Sequence, residues 1–478
     1  MNWILTGIFL AGEMAGAGAI ALPIAVRSLE FYFGLIFMAI SAIMATYCGV
    51  ILGRSWLILQ KHWPEYRFHC RDPYAQIGLR SHGRWMKIAV DVVLNFGMFC
   101  CGVLLMVIVS KNINDAFKQF FKHNFDYCYV AVIVTAIITP FCYLKSPQDF
   151  WWAIILGMVC TLLAVLFSLG GVVNDIGLCQ DSLTLPAFDV TDACTHLGSI
   201  LFAYGGHACF PTIQNDMKEP FKFKYSSILA YTFISILYFP LSIMANLAYN
   251  ENLGPSVINN LQIEWIQQSV NLLITAHCMF AVILIMNPVM QTAEELLKAP
   301  QEFGLHRVAI RSSLMLLALV VVETFPEFGP LMGLLGGTIV STTSFLFPVL
   351  FYLTLNVLDK QMSNDNVDKS QREKPLKAVA NGESDSERIS LIQGIKETPR
   401  LELICLGATF AIAFIVMVVT TIAATKDLAT ASFKMPCYLR WIKDWPETEG
   451  PVTPIFCCGP YSNISLHKGH CISRRHVE

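Results

Sequence analysis

Two short glycine-rich stretches that end in proline lie inside apolar segments, and their residue types suit the binding of a polar ligand. The first runs from Gly16 to Pro23, as GAGAIALP, and the second from Gly205 to Pro211, as GGHACFP. Glycine lets a ligand approach the backbone closely, and both residue types interrupt helices. A helix that breaks within a membrane leaves N–H and C=O groups unpaired unless protein or a ligand satisfies them. The two breaks therefore predict one ligand site near the bilayer midplane.

The groups at these breaks fit the two charges of an α-amino acid. The amides around Gly16 and Gly18 form the positive end of a half-helix and suit a carboxylate. Opposite them, free carbonyls around Tyr204 and His207 can accept from an ammonium group. Phe202, Tyr204 and Cys209 are candidate pocket walls, with ordinary helix packing as the alternative for each. The predicted ligand-binding residues are Gly16, Ala17, Gly18, Ala19, Ile20, Phe202, Tyr204, Gly205, Gly206 and Cys209.

Ionisable residues inside membrane segments are costly and usually functional. Glu13 lies one helical turn before Gly16, with no basic residue nearby in sequence. Since a buried carboxylate binds a proton readily, Glu13 is predicted to carry a proton, and a structural hydrogen bond is the alternative. His207 either relays a proton or, as we prefer, satisfies the broken backbone. His277 is interpreted as a satisfied core histidine.

The elements that position these residues are membrane helices. The chain has 478 residues, of which 55% are hydrophobic and 14% charged, far below the charged content of soluble domains. Apolar runs long enough to cross a bilayer recur from end to end. We read eleven: 3–26, 31–59, 86–109, 129–144, 151–173, 197–214, 226–249, 265–290, 308–323, 331–357 and 401–425.

Alternate loops carry most of the 33 Lys and Arg residues, whereas loops 174–196 and 250–264 carry none. This asymmetry predicts a cytoplasmic amino terminus. The first five and the next five runs each begin with a broken segment, and an odd number of spans forces the two sets to run in opposite directions. This is a 5+5 inverted repeat, about 1–175 and 192–358, inside a core 1–358. Residues 359–399 are predicted to be a disordered cytoplasmic loop, 400–425 the eleventh helix, and 426–478 a poorly ordered tail outside the cytoplasm.

The segment from Leu201 to Pro220, LFAYGGHACFPTIQNDMKEP, strongly resembles the sixth helix and following loop of the amino acid/auxin permease family. Gly16–Pro23 resembles the break in the first helix of that family, and the similarity extends over roughly residues 1–425. The resemblance implies an all-α, LeuT/APC-like fold with helices 1 and 6 broken, and proton- or sodium-coupled transport of amino acids. It also favours a cytoplasmic gate that Asn215, Asp216 and Lys218 form through charged pairs, with a solvated loop as the alternative.

Sodium coupling is disfavoured by the residues at the expected positions. Sodium-coupled relatives use an Asn in helix one, where this chain has Gly12, and hydroxyls in helix eight, where Phe280–Pro288 offers none. Proton coupling is therefore preferred. The sequence implies no cofactor, metal ion or nucleic-acid partner, and it contains no nucleophile elbow or phosphate-binding loop of an enzyme.

On the outer side, Cys179 and Cys194 flank one loop and are disulfide candidates, with Cys128 as a competitor. Asn463 begins the only glycosylation sequon. The sequence predicts a secondary active transporter of amino acids, in the plasma membrane or a lysosomal or vesicular membrane. The alternative is a membrane receptor that senses the same amino acid with little or no flux.

Overall fold

The computed structural model describes residues 1–68, 70–121, 126–144, 151–176, 188–250, 253–300, 304–363, 390–430 and 437–439. Within these residues all regular secondary structure is helical. The α-helices of the first half are α1 Trp3–Met14, α2 Ala17–Ser28, α3 Phe31–His62, α4 Pro73–His82, α5 Arg84–Phe121, α6 Tyr127–Cys142 and α7 Trp151–Asn174. Short 3₁₀ turns at Pro64–Arg67, His207–Cys209, Pro220–Lys222, Val257–Asn260 and Cys437–Leu439 accompany the helices.

The second half begins with another short helix and ends with a long one. Its helices are α8 Val190–Ala203, α9 Phe210–Asn215, α10 Phe223–Tyr249, α11 Glu264–Leu296, α12 Leu305–Thr324, α13 Phe328–Leu335, α14 Phe347–Ser363, α15 Leu391–Glu397 and α16 Arg400–Thr430. A π-helical stretch, Gly336–Leu346, joins α13 to α14 without interruption.

Among the described residues, eight helices are long and apolar enough to cross a membrane, or nine if the bent pair α1 and α2 forms one span. Large apolar side chains such as Ile43, Phe96 and Leu272 are exposed on them, as expected for surfaces that face lipid. The protein is therefore a multi-pass membrane protein. Each of the eleven apolar runs predicted from the sequence falls on a helix or on a broken helix pair.

Both predicted breaks are present. The axes of α1 and α2 differ by 62°, and the chain turns at Ala15 and Gly16. Pro23 lies within α2, so glycine rather than proline makes this break. In the second break α8 ends at Ala203, and Gly206 adopts φ +142°, a conformation that only glycine reaches without strain.

The midpoint of α8 packs directly on the π-helical stretch, backbone against backbone. A Cβ added to Gly336 would lie 1.8 Å from the Gly198 carbonyl oxygen, and one added to Gly337 would lie 2.6 Å from the Thr420 side chain. Thr420 of α16 also donates to the Cys194 carbonyl at 3.0 Å. Small residues thus bring α8, the π-helical stretch and α16 into contact with no large side chain between them.

A buried ion pair and its neighbouring hydrogen bonds tie α6, α11 and α12 together. Arg311 of α12 is fully buried, and its Nε donates to the Glu294 carboxylate of α11 at 2.5 Å. Its second nitrogen donates to the carbonyls of Cys142 and Leu144, at the end of α6. Arg307 reaches the same carboxylate at 3.3 Å.

The loop predicted to be disordered over 359–399 is helical at both ends. Helix α14 continues to Ser363, because Asp359 accepts from Lys61 at 2.6 Å and contacts His62 at 2.7 Å. Helix α15 then packs on α14, with Gly394 against the Leu353 backbone. The final helix also runs five residues beyond its predicted end, to Thr430. The remainder of that loop, 364–389, lies outside the described residues.

Candidate functional site

A cavity opens beside the first helix break, between α1, α2, α5, α7, α8 and α11. It contains about 600 Å³ of space free of protein atoms, part of it open to solvent. The lining is mostly apolar, and its ionisable groups are one carboxylate, one imidazole and one thiol. The residues that line it are Gly12, Glu13, Met14, Gly16, Ala17, Gly18, Cys101, Leu105, Gly157, Phe202, His277, Phe280, Ala281, Leu284 and Ile285.

Glu13 supplies the carboxylate of this cavity. It lies in the last turn of α1, directly before the break. Its side chain is partly accessible through the cavity and forms no hydrogen bond or ion pair with any described residue. An unpaired carboxylate in apolar surroundings is unfavourable as an anion, so binding of a proton or a cationic group stabilises it.

The start of α2 supplies hydrogen-bond donors to the same cavity. Ala19 N donates to the Gly16 carbonyl at 3.1 Å, which closes the first turn. Earlier in the turn, the N–H groups of Gly16, Ala17 and Gly18 have no acceptor among the described residues, and all three residues line the cavity. Three free donors at the positive end of a helix form a ready site for an anion such as a carboxylate.

His277 of α11 completes the polar part of the cavity. Its Nδ1 donates to the Gly157 carbonyl at 3.2 Å, which leaves Nε2 as an acceptor in the neutral ring. A Cβ on Gly16 would lie 2.6 Å from this Nε2 atom, so the imidazole rests directly against the break. The histidine is satisfied on one edge, as its core interpretation requires, but its other edge faces the cavity.

The structure brings together only part of the predicted ligand-binding set. Gly16, Ala17, Gly18 and Phe202 line the cavity with Glu13. Ala19 and Ile20 are buried in α2 behind this surface. The remaining four predicted residues, which belong to the second break, lie outside the cavity lining: Tyr204, Gly205, Gly206 and Cys209.

Contacts other than the cavity occupy the four outlying residues. The Tyr204 ring packs on Tyr238 of α10, with centroids 5.7 Å apart. Gly205 faces Val340, and Gly206 faces Met14. The Cys209 thiol donates to the Gly206 carbonyl at 3.0 Å.

Two tyrosines of α10 satisfy carbonyls that the breaks set free. Tyr231 donates to the Tyr204 carbonyl at 3.2 Å, while the Tyr238 hydroxyl lies 3.4 Å from both the Met14 and Ala203 carbonyl oxygens. Neither tyrosine was predicted from the sequence. Their spacing of seven, which places them on one helix face, was the available signal.

His207 is placed away from the cavity. It is fully buried, its Nε2 lies 2.9 Å from the Ala45 carbonyl oxygen, and its ring stacks on Phe210 at 4.7 Å. The imidazole thus fills space beside the second break, and its backbone partner belongs to α3 rather than to the broken helix.

The α11 face of the cavity was also not predicted from the sequence. His277, Phe280, Ala281, Leu284 and Ile285 recur at the spacing of one helix face, which was a readable signal. Cys101 and Leu105, four residues apart on α5, line the opposite wall.

The predicted gate residues lie at the end of α9. Neither Asp216 nor Lys218 forms an ion pair through its side chain with a described residue. Asn215 instead accepts from Gln60 of α3 at 3.2 Å and contacts the Phe68 carbonyl at 3.5 Å. In this conformation the end of α9 is held by hydrogen bonds of Asn215 rather than by charged pairs of Asp216 and Lys218.

The predicted disulfide of Cys194 is wrong. Cys194 is a free thiol within α8, whereas Cys128, the predicted competitor, is disulfide-bonded. The reason is that α8 begins at Val190, so Cys194 is fixed on a packed helix rather than in a loop. Cys179 and Asn463 lie outside the described residues.

Comparison with known proteins agrees with the resemblance found in the sequence. Residues 1–371 match the family model described as Transmembrane amino acid transporter protein. The chain is 28% identical to Amino acid transporter AVT1H of Arabidopsis thaliana over 73% of this chain and 80% of that protein. It is 23% identical to Amino acid transporter AVT1E of the same plant, over 74% of this chain and 66% of that protein.

A solved structure of MhsT in complex with L-phenylalanine is similar at 10% identity and a TM-score of 0.49, with 87% of this chain and 98% of that chain covered. This similarity is too low to assign the fold by itself. The family match covers most of the chain, and the named relatives are transporters rather than enzymes. This protein therefore belongs to the transmembrane amino acid transporter protein family.

Proposed function

We propose that this protein is a secondary active transporter that moves amino acids across a membrane by alternating access, coupled to protons. Its architecture in this proposal is eleven spans, with two inverted repeats of five, α1 and α2 as broken helix one, and α8 and α9 as broken helix six. Helix α16 is the added eleventh span. The amino terminus is cytoplasmic, and the membrane is the plasma membrane or that of a lysosome or vesicle.

One observation carries the proposal: free N–H donors and an unpaired carboxylate face the same apolar cavity at a helix break. The donors of Gly16, Ala17 and Gly18 bind the substrate carboxylate. Glu13 binds the coupling proton, and its neutral form makes the cavity free of net charge. The apolar wall formed by residues such as Leu105, Phe202 and Leu284 faces the substrate side chain.

The cavity supports a proton more than a sodium ion as the coupling ion. Sodium sites need several oxygen ligands, whereas the α11 wall presents Phe280, Ala281, Leu284 and Ile285. A proton needs only one acceptor, which Glu13 provides. The gate at Asn215, Asp216 and Lys218 would form its charged pairs in another conformation of the cycle.

The test is uptake of a panel of labelled amino acids into proteoliposomes, with and without an inward proton gradient. We compare the wild type with Glu13→Gln, which keeps the shape of the side chain but cannot exchange a proton. Glu30→Gln is the matched control, because Glu30 is exposed in the turn after α2, away from the cavity. We expect gradient-driven accumulation in the wild type and the control, and its loss in Glu13→Gln.

The outcomes separate the parts of this proposal. Gradient-driven uptake that survives Glu13→Gln removes the role of Glu13, and uptake that requires sodium removes proton coupling. If no amino acid moves although one of them stabilises the wild-type protein against heat, the protein is an amino acid receptor rather than a transporter.

A further inference from the structure

The two helix breaks meet at a single side chain of α10. Tyr238 is fully buried, and its hydroxyl lies 3.4 Å from the Met14 carbonyl oxygen and 3.4 Å from the Ala203 carbonyl oxygen. Met14 is the last residue of α1, and Ala203 is the last residue of α8. One hydroxyl therefore contacts the carboxyl ends of both half-helices.

These two carbonyls are among the groups that a broken helix leaves without intrahelical partners. Both residues are buried, with 7% of Met14 and 1% of Ala203 exposed, and an unpaired buried carbonyl is unfavourable. A tyrosine hydroxyl has one proton to donate, so it serves the two carbonyls by sharing or by alternating between them. The long and equal distances fit this shared use.

The residues around this hydroxyl are also in close contact across the two breaks. A Cβ on Gly18 would lie 2.7 Å from the Ala203 Cα atom, and a Cβ on Gly206 would lie 2.6 Å from the Met14 side chain. The end of each half-helix thus packs on the residues just across the other break. Any movement that separates α1 from α8 must first break a contact of Tyr238.

We propose that Tyr238 is a positioning residue. Its hydroxyl hydrogen-bonds the carboxyl ends of both α1 and α8, so that the two half-helices beside the cavity change position together. This inference rests on the transport function proposed above. The residue does not line the cavity, so it acts on transport through the helices and not by touching the substrate.

The alternative is that the hydroxyl only satisfies buried carbonyls, as many buried tyrosines do. Two other tyrosines on the same helix make this alternative testable. Tyr231 donates to the Tyr204 carbonyl at 3.2 Å and so contacts the second break alone. Tyr249 donates to Asp175 at 2.6 Å, at the far end of α10 and away from both breaks.

The experiment compares Tyr231→Phe, Tyr238→Phe and Tyr249→Phe in the full chain, reconstituted in lipid. The first measurement is hydrogen–deuterium exchange of peptides that cover residues 10–22 and 200–212. Loss of a neutral hydrogen bond changes a local opening equilibrium by about two- to tenfold. We expect Tyr238→Phe to speed exchange in both segments by this factor, Tyr231→Phe only in 200–212, and Tyr249→Phe in neither.

The second measurement is the rate of amino acid uptake per folded transporter. We expect Tyr238→Phe to lower the maximal rate about tenfold while KM changes by less than about twofold. Tyr249→Phe should lower thermal stability and leave both kinetic constants unchanged. This split between maximal rate and KM is one that a purely structural role does not produce.

Three results would overturn the inference: faster exchange in only one of the two segments, an unchanged maximal rate, or a change confined to KM. The last of these would make Tyr238 a substrate contact. If the wild type shows no flux at all, the proposed transport function fails, whereas the exchange pattern still decides whether Tyr238 joins the two half-helices.

Discussion

Replacement of Gly18 by alanine tests whether the start of α2 and the end of α8 form one binding surface. The new Cβ would lie 2.7 Å from the Ala203 Cα atom and 2.8 Å from its Cβ atom. Carbon atoms in contact prefer about 3.5–4.0 Å, so the two backbones must separate by about 1 Å. Neither Ala203 atom can move away by a change of rotamer.

The expected magnitudes follow from this separation. Overpacking lowers the free energy of unfolding by about 1–3 kcal/mol, and the better helix propensity of alanine offsets about 0.5–1 kcal/mol of this loss. We therefore expect a net loss of about 1–2 kcal/mol in the free energy of unfolding. In the proposed site, a shift of about 1 Å would also break a charge-assisted hydrogen bond between these amides and the substrate carboxylate, which would raise KM about tenfold or more.

The assay is amino acid uptake at varied substrate concentration, together with thermal unfolding of the purified protein. Gly170→Ala is the matched control, because its added Cβ meets nothing within 4 Å. This control should transport like the wild type and gain up to about 1 kcal/mol of stability. Wild-type KM and stability in Gly18→Ala would refute the proposed packing and the role of these amides.

Two further predictions concern ion pairs at the helix ends. Arg311→Met leaves the Glu294 carboxylate and two carbonyls without their main donor, so we expect the free energy of unfolding to fall by about 3–5 kcal/mol, as measured by thermal unfolding. Arg307→Met should lower it by less. Equal losses in the two variants would contradict the assignment of Arg311 as the main partner. Asp359→Asn removes a half-exposed ion pair with Lys61, so it should lower the free energy of unfolding by only about 0.2–1 kcal/mol, and by less at high salt. A loss as large as that of Arg311→Met would contradict this reasoning.

Composition and motif were enough to predict the helical membrane architecture and the place of the first break. Apolar runs longer than a bilayer requires leave few alternatives to membrane helices. Gly16 and Gly18 were predicted to let a ligand approach the backbone closely, and the structure shows close approach by His277 and Ala203, which occupy the space that side chains would need. These are local properties, which a single sequence records directly.

The second break was predicted in position but not in orientation. Gly206 does interrupt the helix, yet Tyr204 faces Tyr238 rather than the cavity. Successive helical residues point about 100° apart, so a pattern of candidate residues does not say which of them faces a cavity formed by other helices. Phe202, two positions earlier, is the residue that lines it.

Tyr238 was not predicted, and His277 was predicted only as a satisfied core histidine, because the contacts of both residues are made with helices distant in sequence. His277 contacts Gly16 and Gly157, while Tyr238 contacts the ends of α1 and α8. On its own helix, each has the sequence surroundings of an ordinary core residue. The spacing of apolar residues around His277 and the Tyr231–Tyr238 interval were signals of a shared face, but they do not reveal what that face meets.

The backbone contact between Gly198 and Gly336 sets the spacing of α8 and the π-helical stretch at the distance of two bare backbones. Two more contacts lie about one turn earlier on α8: a Cβ on Gly333 would lie 2.6 Å from the Thr195 carbonyl oxygen, and Thr420 donates to the Cys194 carbonyl at 3.0 Å. Movement of α8 against its neighbours in this region therefore has to break all three contacts, and no single one of them acts as a pivot.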